Sequence, residues 1–232
     1  MARFGIATIS YKRENILELF FCSMNRFRKT YGNFPVVCVG DAEHAGLCQK
    51  YGIQHFYQEN RPATEKWNTA IREILKYETD YIILIDSDDI MGNDYMEKLI
   101  EGMEAGADMI YTHQVYFWSS DGPNKGELLK LKAKQIIGVG KAVKTSVFIH
   151  KDRWWTSNRN SGMNSDLHRN IANHLIKRRE ISGILVDVKS KTNLNKFTFW
   201  KKKIGNVIPS DLFYNAVGEE EMSIINKLLG KT

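Results

Sequence analysis

Tyr81-Ile82-Ile83-Leu84-Ile85-Asp86-Ser87-Asp88-Asp89-Ile90 runs from an uninterrupted apolar segment into three carboxylates within four residues. Residues 82–85 are large or β-branched and apolar on both alternating faces, the pattern of a short central strand covered on both sides by helices. In such sheets ligand chemistry collects at the carboxyl ends of the strands. Asp86 and Asp88, two residues apart, put two hard oxygen donors on one side of the departing chain, which suits Mg²⁺ or Mn²⁺ carrying phosphate oxygens. Asp and Ser also favour plain solvated turns. Three like charges crowded at one strand end repel unless a cation meets them, and that weighs toward a binding site.

Outward from this strand the chain alternates. Upstream, residues 3–9 read as a strand, Ser10 to Arg13 as its exit loop, and the segment from Asn15 as a helix with Ile16, Leu17, Phe20, Met24 and Phe27 at intervals of three and four. Residues 35–41 form a second short strand that again closes in an acid, Asp41. A short helix over 44–51 and a strand over 53–57 follow. Residues 64–77 carry Trp67, Ala70, Ile71, Ile74 and Leu75 at helical spacing and lead into the central strand. Downstream come a helix from Asn93 to Gly106 and a fifth strand over 107–112. This order predicts an α/β fold, a mostly parallel sheet flanked by helices with right-handed crossovers.

After Trp118 the texture changes. Residues 119–124 are a turn, 128–149 mix Lys with Ile, Val and Gly without helical period, and this predicts a smaller antiparallel or irregular region. Residues 165–177 read as a helix, 184–188 as a strand and 219–229 as a last amphipathic helix. Trp118, Trp154 and Trp155 could stack on a sugar, although aromatics packed against a sheet are the commoner outcome. Spacing selects none of His113, His150, His168 and His174 as a further metal ligand. Gly138-Val139-Gly140-Lys141 lacks the spacing of a phosphate loop and is placed on the acceptor side.

With 232 residues, 43% hydrophobic, 26% charged and 4 Pro, the chain has room for one domain with a full core and no long disordered linker. Cys22, Cys38 and Cys48 lack metal spacing and suggest buried thiols in a reducing compartment. The first residues are too briefly apolar for a signal peptide, and no run reaches the length of a membrane helix. The expectation is a cytoplasmic protein with no transmembrane segment, at most peripheral to a membrane. The net charge of +6 is concentrated late, in Lys177-Arg178-Arg179 and Lys201-Lys202-Lys203 among others. That bias in the C-terminal half suits an anionic surface, a nucleic acid or a phosphorylated glycan.

A first strand leaving a Thr-x-Ser-Tyr-x-Arg loop, an acid closing strand two, and Lys-x-Asn before a strand ending in Asp-Ser-Asp-Asp together resemble the GT-A glycosyltransferases, specifically the glycosyltransferase family 2 type. The resemblance covers residues 3–112. It implies a Rossmann-like fold, a nucleotide-diphosphate sugar as donor, Mn²⁺ or Mg²⁺ as cofactor, and transfer to an acceptor hydroxyl by one inverting displacement. It also implies roles for particular residues. Thr8, Ser10, Tyr11 and Arg13 match the loop bordering the nucleotide, and Asp41 the acid that meets base or ribose. Asp86 and Asp88 match the DxD acids, with Ser87 between them at the donor. Asn68 holds the place of a donor contact, Trp67 stands where Arg is common, and Lys66 or Arg61 is expected to supply that missing cation. Asp166, in Asn164-Ser165-Asp166-Leu167, matches the acceptor's base, though an acid in a first helical turn is also favoured by the cap and the dipole.

On this reading residues 1–112 hold the donor and 113–232 a glycan, lipid-linked or modified-DNA acceptor, within one domain. Two other classes compete. A sugar nucleotidyltransferase would want a glycine-rich loop after strand one, and residues 8–13 have no glycine. A non-enzymatic nucleic-acid-binding protein would explain the late basic residues and leave Asp86, Asp88 and Asp89 without a purpose.

Overall fold

The computed structural model describes residues 2–59, 62–138, 140–157, 163–193 and 196–231. The elements of the first part are β1 (Phe4–Ile9), α1 (Glu14–Tyr31), β2 (Val36–Gly40), α2 (Ala45–Lys50), β3 (Gln54–Tyr57), α3 (Ala63–Ile74), β4 (Tyr81–Leu84), β5 (Asp89–Met91), α4 (Asn93–Glu104) and β6 (Met109–Thr112). Then come β7 (Gln114–Ser119), β8 (Leu128–Lys132), β9 (Lys141–Lys144), α5 (Met163–Ile171), β10 (Arg178–Ile181), β11 (Leu185–Lys189), α6 (Phe197–Ile204), β12 (Val207–Ile208), α7 (Asp211–Tyr214) and α8 (Glu219–Leu229).

Seven strands form the main sheet in the order β10-β6-β9-β4-β1-β2-β3, so β4 lies at its centre. Every pairing in it is parallel except the two made by β9, which slots between β4 and β6. The apolar run of β4 follows from that position. Tyr81, Ile83 and Ile85 enter one hydrophobic cluster and Ile82 and Leu84 the other, so neither face of the strand tolerates a polar side chain. One cluster is filled by α1 and α4. The other holds Trp67, Ala70 and Ile71 of α3 together with Trp154, Trp155 and Leu167.

A second sheet, β12-β8-β7-β11-β5, is antiparallel except between β7 and β11. It is the smaller antiparallel region expected after residue 118, but it starts earlier and reaches back into the acid cluster, because Asp89 opens β5. A three-residue strand has no readable period. Its partner β11 lies almost a hundred residues away in sequence, so local pattern could not reveal it. The helix expected over 165–177 ends at Ile171 and gives way to a 3₁₀ turn through Ala172-Asn173-His174, where Asn and His are weak helix formers.

The final helix docks on α1. The Arg26 guanidinium reaches Glu221 at 2.5 Å, Met91 O at 2.9 Å and the Asn93 side chain, and Lys29 meets Glu220 at 2.8 Å. Glu221 is buried, so the Arg26 guanidinium is its partner in place of water. All three cysteines are buried and free. No helix among the described residues is long and apolar enough to cross a membrane.

Candidate active site

Two groups of polar side chains stand at the carboxyl ends of the main sheet. The first lies where β1 and β2 end. Gly40 lets the loop after β1 pass close, since a Cβ there would sit 1.9 Å from Ser10 Oγ. Lys66, fully buried on α3, donates to Ser10 O at 2.7 Å and to Asp41 Oδ1 at 3.3 Å, and the Lys12 amide donates to Asp41 Oδ2 at 3.2 Å. Burial holds the Lys66 ammonium below its ordinary value, with Asp41 opposing the shift. Ser10 Oγ bonds His44 Nδ1 at 2.8 Å and accepts from Cys38 Sγ at 3.3 Å. Burial also pushes His44 down, toward the neutral imidazole. Tyr11 is partly exposed beside this group, with the Lys12 ammonium 4.9 Å from its ring centre, and Thr8 Oγ1 is buried without a partner among the described residues.

The second group forms where β4 ends and β5 and β11 run antiparallel. Asp89 faces Asp187 in register, and Val188 N donates to Asp88 O at 2.8 Å, which ties the acid turn to β11. Arg13 Nη1 meets Asp88 Oδ2 at 2.5 Å and Asn193 Nδ2 donates to the same oxygen at 2.8 Å. Lys189 Nζ meets Asp187 at 2.5 Å. Both Asp89 oxygens and Asp187 Oδ1 are buried without a hydrogen-bond partner among the described residues. Ser87 is buried between the acids.

Electrostatics follows from this crowding. Burial, then the charges of Asp88 and Asp187, push the Asp86 carboxyl up to about 7. Burial lifts Asp187 to about 6, with Lys189 opposing it, and lifts Asp89 well above the ordinary carboxylate range. For Asp88 burial acts the same way, but Arg13, Lys189 and Asn193 outweigh it and hold the carboxyl below its ordinary value. Arg13 and Lys189 thus contact Asp88 and Asp187 directly, while Asp86 and Asp89 feel cations only through space. Lys141, buried on β9 opposite Leu84, is lowered to about 7 by burial, with Asp86 opposing the shift.

Lys12 and Arg13 both adopt the left-handed backbone region, at φ 52 and φ 62. For side chains with a Cβ this costs on the order of 1–3 kcal/mol each and persists only where surrounding contacts hold it. Here the contact is the Arg13 reach to Asp88.

A divalent cation fits the second group on two counts: its donors are all hard carboxylate oxygens, and three of them, on Asp89 and Asp187, are buried without a hydrogen-bond donor among the described residues. The fit is for few protein ligands. Among the described residues, three His, Cys, Asp or Glu ligand atoms converge within 4.8 Å only at Asp41, Glu43 and His44. Mg²⁺-like ions are commonly held by one or two carboxylates, with phosphates and water completing the shell.

Several expected roles change. Asn68, expected at the donor, is buried with its side chain spent on the backbone of Trp154 and Trp155: its Oδ1 accepts from both amides at 3.0 Å, and its Nδ2 donates to Trp155 O at 2.8 Å. Asp166, expected as the acceptor's base, is also buried. Its oxygens accept from Thr156 N, Thr156 Oγ1, Ser157 N and Ser157 Oγ at 2.8–3.2 Å. Burial opposes ionisation there, but these donors prevail and hold the carboxyl below its ordinary value, which makes it a poor proton acceptor and a good loop anchor.

Lys66, expected near a diphosphate, is held by Asp41 at the first group instead, and Arg61 lies outside the described residues. The cations in contact with the acids are Arg13 and Lys189. Trp67 stacks on Trp155 at 5.5 Å, and Trp118, Trp154 and Trp155 are all buried, so none forms an exposed sugar platform. His113 meets Glu180, and His150 stacks on His174. His168 is pushed down to about 4 by burial. Lys141 lies at the acids, and Val139 is outside the described residues. Sequence reasoning missed His44, Asp187, Lys189 and Asn193. An Asp-x-Lys pair interrupting an apolar strand was the available signal for two of them.

Residues 6–177 match the family described as Glycosyl transferase family 2. No curated protein matches the chain. Among solved structures, Staphylococcus aureus TarS 1–349 in complex with UDP matches with a TM-score of 0.59 and 14% identity over 98% of this chain and 70% of that one. The bifunctional IspDF of Campylobacter jejuni gives 0.51 and 14% over 89% and 55%. A putative glucose-1-phosphate thymidylyltransferase of Bacillus anthracis gives 0.51 and 12% over 90% and 98%. At these identities the likeness is one of fold. The chain spans 55% of the length of the Campylobacter chain and 43% of a longer TarS chain.

Proposed function

The chain belongs to glycosyl transferase family 2, and on that premise we propose that it moves a sugar from a nucleoside-diphosphate donor to an acceptor hydroxyl. The observation that carries this reading is the pairing of a charge-balanced polar group at the ends of β1 and β2 with an under-compensated acid group at the ends of β4 and β11. A nucleotide has the same two-part character, a neutral base with hydrogen-bonding edges and an anionic diphosphate that needs cations.

In this scheme Thr8, Ser10, Tyr11 and Asp41 border the base and ribose, with Lys66 holding Asp41 in place. Asp86 and Asp88 are the residues that would hold Mn²⁺ or Mg²⁺, and Ser87 lies between them. The cation supplies charge neutralisation at the departing diphosphate. Arg13 is the protein's own cation at that point, and its left-handed backbone aims it there. Asp187 takes the acceptor's proton. It combines partial exposure, an oxygen without a donor and a raised pKa, the properties that Asp166 lacks. A single displacement inverts the anomeric centre. Residues 1–112 then supply the donor pocket, and the second half supplies Asp187, Lys189 and Asn193 beside the acceptor, within one domain.

The thymidylyltransferase likeness of fold keeps one other reading in view. Product analysis separates the two. Release of nucleoside diphosphate from a sugar nucleotide supports transfer, and release of pyrophosphate from a nucleoside triphosphate would replace this proposal with nucleotidyl transfer.

A further inference from the structure

Between Asp187 and Asp211 the sequence has no acid and carries Lys189, Lys191, Lys196, Lys201, Lys202 and Lys203. Two of these are spent inside the fold: Lys189 on Asp187, and Lys201 on Asn124 and Glu127. Lys196, Lys202 and Lys203 are exposed, and among the described residues none of them is in an ion pair. The geometry of α6 decides what they accompany. Phe197 is buried, and Trp200 and Ile204 rest on the core, with Trp200 stacked on Phe117 at 4.5 Å. The opposite face carries Phe199 with Lys196, Lys202 and Lys203 at spacings of three and four, so they share one exposed stripe. Phe199 is 51% exposed, and Val207 of β12 and Leu212 of α7 follow at 46% and 41%.

We propose that this face docks on a bilayer surface containing anionic phospholipid. An exposed aromatic flanked by lysines outside any ion pair, of which Lys203 rests over the Trp200 ring at 5.3 Å, with further aliphatic side chains close by in the chain, is the composition of a helix lying in a membrane interface, where apolar groups enter the acyl boundary and lysines meet headgroup charge. A nucleic acid would use the lysines and leave Val207 and Leu212 without a role. The placement also bears on the reaction. Lys196, Phe197 and Thr198 line a cavity of about 150 Å³ with Lys189, Ser190 and Lys191, so α6 starts beside the strand that carries Asp187. Resting on the proposed transfer reaction, the docked face brings the acid group to the bilayer, where a lipid-linked acceptor would be presented.

Vesicle flotation tests this with the whole chain. The protein is expected to float with vesicles of phosphatidylcholine plus phosphatidylglycerol at low salt and to remain behind with phosphatidylcholine alone. Lys202→Glu with Lys203→Glu should weaken binding by at least about 25-fold, and Phe199→Asp should also weaken it, both variants melting like the parent. Asp88→Ala should bind vesicles as the parent does, so failure of docking and failure of the transferase reading are separate results. Equal binding to both vesicle types, binding unchanged in the variants, or binding to duplex DNA with none to either vesicle would overturn the proposal.

Discussion

The two polar groups at the sheet's carboxyl edge both set Asp against a basic side chain and solve opposite problems. At the ends of β1 and β2, Asp41 has Lys66 and the Lys12 amide, Ser10 has His44 and Cys38, and charge is nearly closed. At the ends of β4, β5 and β11, four carboxylates stand with Arg13, Lys189 and Lys141, and three buried oxygens have no donor among the described residues. The first group balances its charge without a ligand, while Thr8 Oγ1 and His44 Nε2 stay buried without a hydrogen-bond partner among the described residues, open to the edges of a base or ribose. The open group is unfinished, and a cation with its phosphates would complete it.

The sharpest way to break this contrast is Asp88→Ala. It removes a proposed cation ligand and frees Arg13, and sugar transfer should fall about 10³-fold or more, with the fold retained. Activity within tenfold of the parent, or activity retained in excess chelator, would show that the open group does not need filling.

Asp187→Asn against Asp166→Asn is the next step. Removing a proton acceptor costs about 10²–10⁴-fold, so Asp187→Asn should lower kcat on that scale with little change in donor KM. Asp166→Asn should instead cost about 1–3 kcal/mol of stability, read as a lower Tm, because it weakens the clamp on Thr156 and Ser157. The reverse pattern would restore Asp166 as the base.

The difference between these two acids also shows where the sequence was readable. The position of Asp86 and Asp88 at a strand end was legible because a β4 buried on both faces must be apolar, so its end is conspicuous. The parallel order of β1 to β4 followed from periodicity for the same reason. Asp166 looked catalytic because the head of a helix is a favoured place for an acid, and the sequence does not show that Thr156 and Ser157 fold back onto it. Asn68 misled similarly, since its partners are the backbone of residues 86 and 87 positions further along. Asp187 was hidden in β11, whose pairing with β5 is a long-range contact that no local pattern encodes.

A smaller effect is expected at the closed group. Asp41→Asn should raise donor KM by roughly tenfold, on the scale of one charge-assisted hydrogen bond, and leave kcat nearly unchanged. A loss confined to kcat would move Asp41 into the reaction.

The mildest test is thermal stability against pH without divalent cations. Asp86, Asp89 and Asp187 have raised carboxyl pKa values, so the folded chain keeps protons that the unfolded chain has released above about 4. That contribution is complete below about pH 4 and is lost as pH rises through about 6 and 7. These acids therefore pull Tm down between pH 5 and 8, against His44 and His168, whose lowered values act the other way up to about 6.5, and Lys141, which does so above about 7. Mn²⁺ should remove the acids' part and so raise Tm most at the alkaline end. A Tm–pH profile that Mn²⁺ leaves unchanged would mean that the open group is already balanced.

The central claim is that nucleotide and cation are held together by the two groups, and calorimetric titration with UDP tests it most directly. With Mn²⁺ present the parent should bind UDP, and a concentration 100 times the Kd should stabilise the fold by about 2.7 kcal/mol. Removing Mn²⁺, or replacing Asp88 by Ala in its presence, should weaken binding at least about tenfold, the scale of one lost charge contact to the diphosphate. UDP affinity that is the same with Mn²⁺, with chelator and in Asp88→Ala would contradict the account.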